Sequence, residues 1–196
     1  PLRTGVGIIL LNDENKVFVA RRIDNAKKFW QMPQGGVDKG EDFLKAAYRE
    51  LEEETSINSV ELIKELDGTI TYELPDRLLG IIWKGKYKGQ KQKWFLMRYL
   101  GNDNDINIKT NKPEFLEWKW IDLDMIEEFV WYLSIQQHLI LLYTTVHNFV
   151  VYHRYHVINF KGNCNTSIHF PLKLSKIILL LQQEIYLKQA YLNTIF

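Results

Sequence analysis

The chain has 196 residues, with 25 lysines and arginines against 24 acids, 46% hydrophobic residues and a single cysteine, Cys164. These values exclude a disordered or collagen-like chain, an internal disulfide and any multi-cysteine zinc or iron–sulfur site. The opening Pro-Leu-Arg-Thr lacks the basic-then-apolar pattern of a secretory signal, so the expected setting is reducing and cytoplasmic.

Residues 5–12 form an apolar run that ends in the turn-forming Asn12-Asp13-Glu14-Asn15, and Val17–Arg22 follows. Two β-rich runs around a short polar turn predict a hairpin. Gly35, Gly36 and Gly40 punctuate a loop before a helix predicted over residues 41–55. Leu44, Ala47, Tyr48 and Leu51 fall on one apolar face of that helix. Further strands are predicted at residues 60–66, 69–74, 93–100 and 117–121, with Trp94 and Phe95 read as core residues. Asp122 is a predicted N-cap for a second helix. Strands around one central helix, with another at the end, predict a mixed α/β (α+β) domain.

On the predicted helix, Glu50, Glu53 and Glu54 stand at i, i+3 and i+4. At helical spacing the three carboxylates share one arc, read as lying opposite the Leu44/Leu51 stripe. Like charges this close repel, and cations relieve the repulsion. Hard divalent ions with oxygen ligands match such a cluster, Mg²⁺ above all, with Mn²⁺ as a substitute. Taken alone, the triplet reads as a solvated acidic face rather than a metal site.

The longer string decides between them. Residues 35–57 read GGVDKGEDFLKAAYRELEEETSI, with Gly35, Glu41, Arg49, Glu50, Leu51, Glu53, Glu54 and Ile57 at fixed spacing. This resembles the Nudix box of the Nudix hydrolases. One position departs: Ser56 stands where the family has a glycine that ends the helix. The resemblance implies the Nudix fold, a mixed β-sheet sandwiched between helices, and hydrolysis of a diphosphate linkage. It implies that Glu50, Glu53 and Glu54, with Gly35, hold the metal. It further implies structural roles for Glu41 and Arg49, which would brace the loop and helix by an ion pair.

Outside the box stand Arg3-Thr4-Gly5-Val6-Gly7, Arg21-Arg22, Trp30-Gln31-Met32-Pro33-Gln34-Gly35-Gly36 and Tyr72-Glu73-Leu74-Pro75. Gly89-Gln90-Lys91-Gln92-Lys93-Trp94-Phe95, Pro113-Glu114-Phe115 and Trp118-Lys119-Trp120 follow. Over about residues 1–130 this set resembles the bacterial RNA pyrophosphohydrolases and the asymmetric diadenosine tetraphosphate hydrolases. The resemblance implies removal of pyrophosphate from 5′-triphosphorylated or diphosphorylated RNA, a step of mRNA decay. The alternative is the same chemistry on dinucleoside polyphosphates. It also implies substrate contacts from Arg3, Arg22, Gln90, Lys91, Gln92 and Lys93, and a further metal ligand or general base in Glu114. Glu53, Glu54 and Glu114 are the candidate bases. No DNA partner is implied, and the oligomeric state is left open. A non-catalytic nucleotide- or RNA-binding module is the remaining reading, against which the three retained helix carboxylates stand.

The charge pattern agrees. Lys84, Lys86, Lys88, Lys91 and Lys93 follow one another without an acid between them. Lysines on a path to an acidic metal site suit a polyphosphate chain, while the plain alternative is a solvated strand edge.

Residues 131–196 form an atypical tail. They carry five basic residues, one acid, all five histidines and the cysteine, against a net charge of −3 over residues 1–130. The Phe-Lys-Arg segment and long amphipathic helix of the resembled branch are missing. A packed extension, a membrane segment and a metal site at His153 and His156 are all weaker readings than a shifted reading frame. A frame shift predicts that the DNA after about codon 130 encodes the missing segment in another frame.

Overall fold

The computed structural model describes residues 1–23, 30–74, 76 and 79–126. The boundary near residue 130 and every reading of the tail lie outside these residues. So does the second helix. Within the described residues Asp122 precedes a short 3-10 turn, Leu123–Met125, to which its side chain gives no capping bond. No helix among the described residues is long and apolar enough to cross a membrane.

In chain order the elements are β1 (Leu2–Leu11), β2 (Val17–Arg22), β3 (Trp30–Gln31), β4 (Gln34–Gly36), α1 (Phe43–Thr55), β5 (Val60–Glu65), β6 (Ile70–Glu73), β7 (Gly89–Tyr99) and β8 (Phe115–Ile121). They make an α+β domain around one mixed sheet. Its spine is the parallel pair β1 and β7, in register from Leu2 opposite Gly89 to Leu11 opposite Arg98. β5 and β6 both pair antiparallel with the far edge of β7.

The predicted hairpin forms only at its tip. β1 and β2 share the single register pair Leu11–Val17. Beyond it β4 takes the edge of β1 at Gly5–Gly7, and β2 turns away to β3 and β8. β3 and β4, with two and three residues, are too short to show an alternating pattern in the sequence. β7 starts four residues before the predicted strand, because Gln90 and Gln92 are buried in it. Both faces of β7 are covered, so Trp94 and Phe95 are both core residues although they point to opposite faces.

α1 begins after Asp42, whose carboxylate accepts hydrogen bonds from the backbone N–H groups of Leu44 and Lys45. Its face of Ala46, Ala47 and Leu51 packs with Val6, Ile8, Leu10, Phe18, Phe95 and Met97. Burying an aliphatic side chain of this kind contributes roughly 1.5–3 kcal/mol. The helix ends at Ser56, which adopts a left-handed φ of 61° and donates its N–H to Glu52 O at 2.8 Å. The departure from glycine thus falls where the backbone needs one. Ser56→Gly is expected to raise stability by a few tenths to about 1 kcal/mol, read as the urea midpoint, since it removes the left-handed Cβ penalty. The gain is partial, because the serine hydroxyl donates to Asn107 O at 3.1 Å. An unchanged or lower midpoint would show the Ser56 cap to be unstrained.

A second strained site lies between β6 and β7. In the turn Ile82–Gly85, Trp83 and Lys84 have φ of 52° and 56°. Left-handed backbone costs a side-chain-bearing residue about 1–2 kcal/mol.

Candidate active site

α1 follows a glycine-rich strand, and the cluster forms where the two meet. The carboxylates do not all lie opposite the apolar stripe, as the helical arc suggested. At about 100° per residue Glu54 falls only about 60° from Leu51, and it is 4% exposed. Glu50 is half-buried, and the Glu53 side chain is 61% exposed. The arc therefore runs from interior to solvent.

Glu54 is held at one oxygen by the backbone N–H of Gln34, 3.2 Å away in β4. Burial, and then the neighbouring charges of Glu114 and Glu50, push its carboxyl well above the usual carboxylate range. Glu50 is raised by burial, against the opposing hydrogen bonds of Arg49 and Gly36. The Glu50 carboxylate fills the space where a side chain on Gly35 would stand, so any larger residue there would have to displace it.

Arg49 is the hub of the exposed side. Nε and Nη2 fork onto Glu41 at 2.8 Å each, Nη1 reaches Glu50 at 3.0 Å and Glu53 at 3.4 Å, and Nη2 also meets Gly36 O at 2.9 Å. With the Asp38 N–H, these contacts hold the Glu41 carboxyl down to about 2. Glu114 stands just before β8 and pairs with Arg22 Nη1 at 2.8 Å.

Among the described residues no three carboxylate, histidine or cysteine groups already stand as a formed metal cage. The donor set nevertheless fits a hard divalent cation. It is all oxygen, and the Glu54 carboxyl is disfavoured as an anion by the Glu50 and Glu114 charges that a cation would offset. Arg49 meanwhile supplies part of that positive charge to Glu50 and Glu53.

The residues read as substrate contacts divide. Gln90 is buried and accepts a hydrogen bond from the Tyr72 hydroxyl at 2.9 Å. Gln92, fully buried, donates its amide to Gln34 Oε1 at 2.7 Å. Lys93 pairs with Glu65 at 2.8 Å, and its side chain is 15% exposed. Lys91 faces solvent. Arg3 lies over Gly36, with its Cζ 5.7 Å from the Trp83 ring centroid. Three groups escaped the sequence reading: the Gln34 backbone N–H, the Gly36 carbonyl and Trp83. Only Trp83 left a signal, as an aromatic residue immediately before the lysine-rich stretch.

The NUDIX domain family matches residues 1–139. The chain is 75% identical over 130 residues to an RNA pyrophosphohydrolase of Pelagibacter ubique (strain HTCC1062), covering 66% of this chain and 82% of that protein. It is 49% identical over 132 residues to an RNA pyrophosphohydrolase of Sphingopyxis alaskensis, covering 66% and 84%. Among solved structures, a C. elegans Ap4A hydrolase binary complex aligns at a TM-score of 0.55 with 22% identity, over 78% of this chain and 98% of that one. The E. coli dihydroneopterin triphosphate pyrophosphohydrolase aligns at 0.55 with 22% identity, over 70% and 94%. At that identity the two structures speak to the fold alone.

Proposed function

Because the chain belongs to the NUDIX family, we propose that it is a divalent-metal-dependent hydrolase that releases pyrophosphate from the 5′-triphosphate end of RNA. The 75% identity to an RNA pyrophosphohydrolase, over 82% of that protein, carries the reading. The carboxylate cluster beside Gly35 agrees with it.

In this reading Glu50, Glu53, Glu54 and Glu114 hold the metal together with the backbone at Gly35, and Mg²⁺ is the ion, with Mn²⁺ able to replace it. When bound, the ion screens phosphate oxygens and lowers the cost of forming the attacking hydroxide. The protein supplies positioning. The Gln34 N–H fixes one oxygen of Glu54. Arg49 sets Glu50 and Glu53. The base that takes the proton from water is one of Glu53, Glu54 and Glu114.

On the substrate side, Arg3 and Lys91 are open to a phosphate chain. Arg22 reaches one by exchanging its Glu114 partner for a phosphate oxygen. Gln90, Gln92 and Lys93 act from beneath, shaping the floor through Tyr72, Gln34 and Glu65. The domain comprises about residues 1–130, and its RNA substrate puts the enzyme in the cytoplasm.

The test supplies Mg²⁺ with 5′-triphosphorylated RNA and, separately, diadenosine tetraphosphate. Pyrophosphate released from RNA is the expected result, with Glu53→Gln losing most of the activity, since metal charge neutralisation is worth several kcal/mol. ATP plus AMP formed from the dinucleotide alone would replace RNA with the small-molecule substrate. No turnover on either would leave a binding module. A Glu53→Gln rate equal to wild type would sink the metal assignment.

A further inference from the structure

Arg3 differs from its neighbours in what holds it. Arg21 pairs with Glu117 at 2.6 Å, Arg22 with Glu114 at 2.8 Å, and Arg49 with Glu41 at 2.8 Å. Among the described residues no carboxylate pairs with Arg3. Its neighbours are instead bare backbone and an indole. A Cβ on Gly36 would stand 2.5 Å from Arg3 Nη2 and 3.1 Å from Cζ. On the aromatic side, Cζ lies 5.7 Å from the Trp83 ring centroid.

The Trp83 ring is itself held. Tyr87 meets it edge-on at 6.2 Å and 81°. The turn beneath it keeps two consecutive residues, Trp83 and Lys84, in left-handed backbone. Such strain persists only where the surroundings maintain it, and it gathers at functional sites. The β1 register places Arg3 opposite Gln90 in β7, and Gly5, two residues on, opposite Gly36. The guanidinium sits against Gly36, the next residue in the chain after Gly35, whose own vacant side-chain position is filled by the Glu50 carboxylate.

We propose that Trp83 is a positioning residue that holds the Arg3 guanidinium at Gly36, ready for the polyphosphate of the substrate. An acid in that place would order the arginine but also neutralise it and occupy its donors. An aromatic face orders the guanidinium by cation–π contact and leaves the in-plane N–H groups free to fork onto phosphate. A long side chain already ordered loses less freedom when the anion arrives, so the contact acts on binding rather than on the chemical step. The proposal rests on Arg3 contacting phosphate in the reading above.

A double-mutant cycle of Arg3→Ala and Trp83→Ala tests it, with kcat and KM measured separately on 5′-triphosphorylated RNA in Mg²⁺. Trp83→Ala is expected to raise KM about 5- to 10-fold with kcat within about twofold. In the Arg3→Ala background the same change should alter KM by less than about twofold, because a residue acting through Arg3 is non-additive with it. Trp83→Phe should keep KM near wild type. Trp83→Leu, which retains bulk without the aromatic face, should behave like Trp83→Ala even if the alanine variant folds poorly.

Additive effects would overturn the proposal and point to Trp83 meeting the RNA directly. A wild-type KM in Trp83→Leu would overturn it as well. A wild-type KM in Arg3→Ala would remove the phosphate role of Arg3 and the proposal with it. Failure of the unmodified enzyme to release pyrophosphate from any triphosphorylated RNA would instead overturn the functional reading.

Discussion

Glu54→Gln is expected to lower kcat/KM by about 10³-fold or more and, with metal chelated, to raise the melting temperature. The two effects share one cause. The Glu54 carboxylate is buried and faces Glu50 and Glu114, against which the Gln34 N–H and the Arg22 charge act in part. On the proposed reading, removing its charge removes a metal ligand, and several kcal/mol of charge stabilisation correspond to thousands in rate. Without metal the same charge is a burden on the fold. Below the ordinary carboxylate range Glu54 is protonated whether folded or unfolded, so its charge has no influence. As pH rises the unfolded chain ionises first and the folded carboxyl, pushed upward, lags behind. Stability is therefore lost through the window between the two values. The gain of the glutamine variant should be absent at low pH and grow through that window. Saturating Mg²⁺ should stabilise wild type more than the variant. A glutamine variant less stable than wild type at pH 8 in chelator would contradict the buried-charge account.

Arg49→Lys is the second large effect, expected to reduce kcat/KM by roughly 10²-fold, the scale of a small misplacement of catalytic groups. Arg49 contacts Glu41 through two nitrogens, Glu50 and Glu53 through a third, and the Gly36 carbonyl as well. A lysine presents one charged nitrogen and cannot reproduce the fork. The loss of order should also show in pH dependence. The folded Glu41 carboxyl is lowered to about 2, chiefly by Arg49. Its pairing therefore stabilises the fold above the ordinary carboxylate value, and this contribution is lost as pH falls from there towards about 2. Arg49→Lys should flatten the decline of melting temperature between about pH 5 and 3. A decline as steep as that of wild type would show the pair to be energetically silent.

Much of this site is written locally. The spacing of Gly35, Glu41, Arg49 and the three glutamates lies in one short stretch, and Asp42 caps the helix through its own next turn. β2 falls at Val17–Arg22 as read, because Val17, Phe18 and Val19 carry a strand signal of their own. The Ser56 departure also predicted its own consequence, a left-handed residue without glycine at the helix end.

What distant segments do to one another was not legible. Gln90, Lys91, Gln92 and Lys93 look alike as a polar, basic string. Pairing of β7 on both edges buries the two glutamines, ties Lys93 to Glu65 and leaves Lys91 in solvent. A strand's alternation gives two faces but not which of them will be covered. Arg22 and Glu114 are 92 residues apart and meet only because β2 and β8 are neighbours. Residue types at short spacing sufficed for the chemistry and the cation class, because helix geometry and capping act within a few residues. Which carboxylate is buried, which lysine is tied to an acid and which aromatic lies beside Arg3 depend on strand register, and register is a property of the folded sheet.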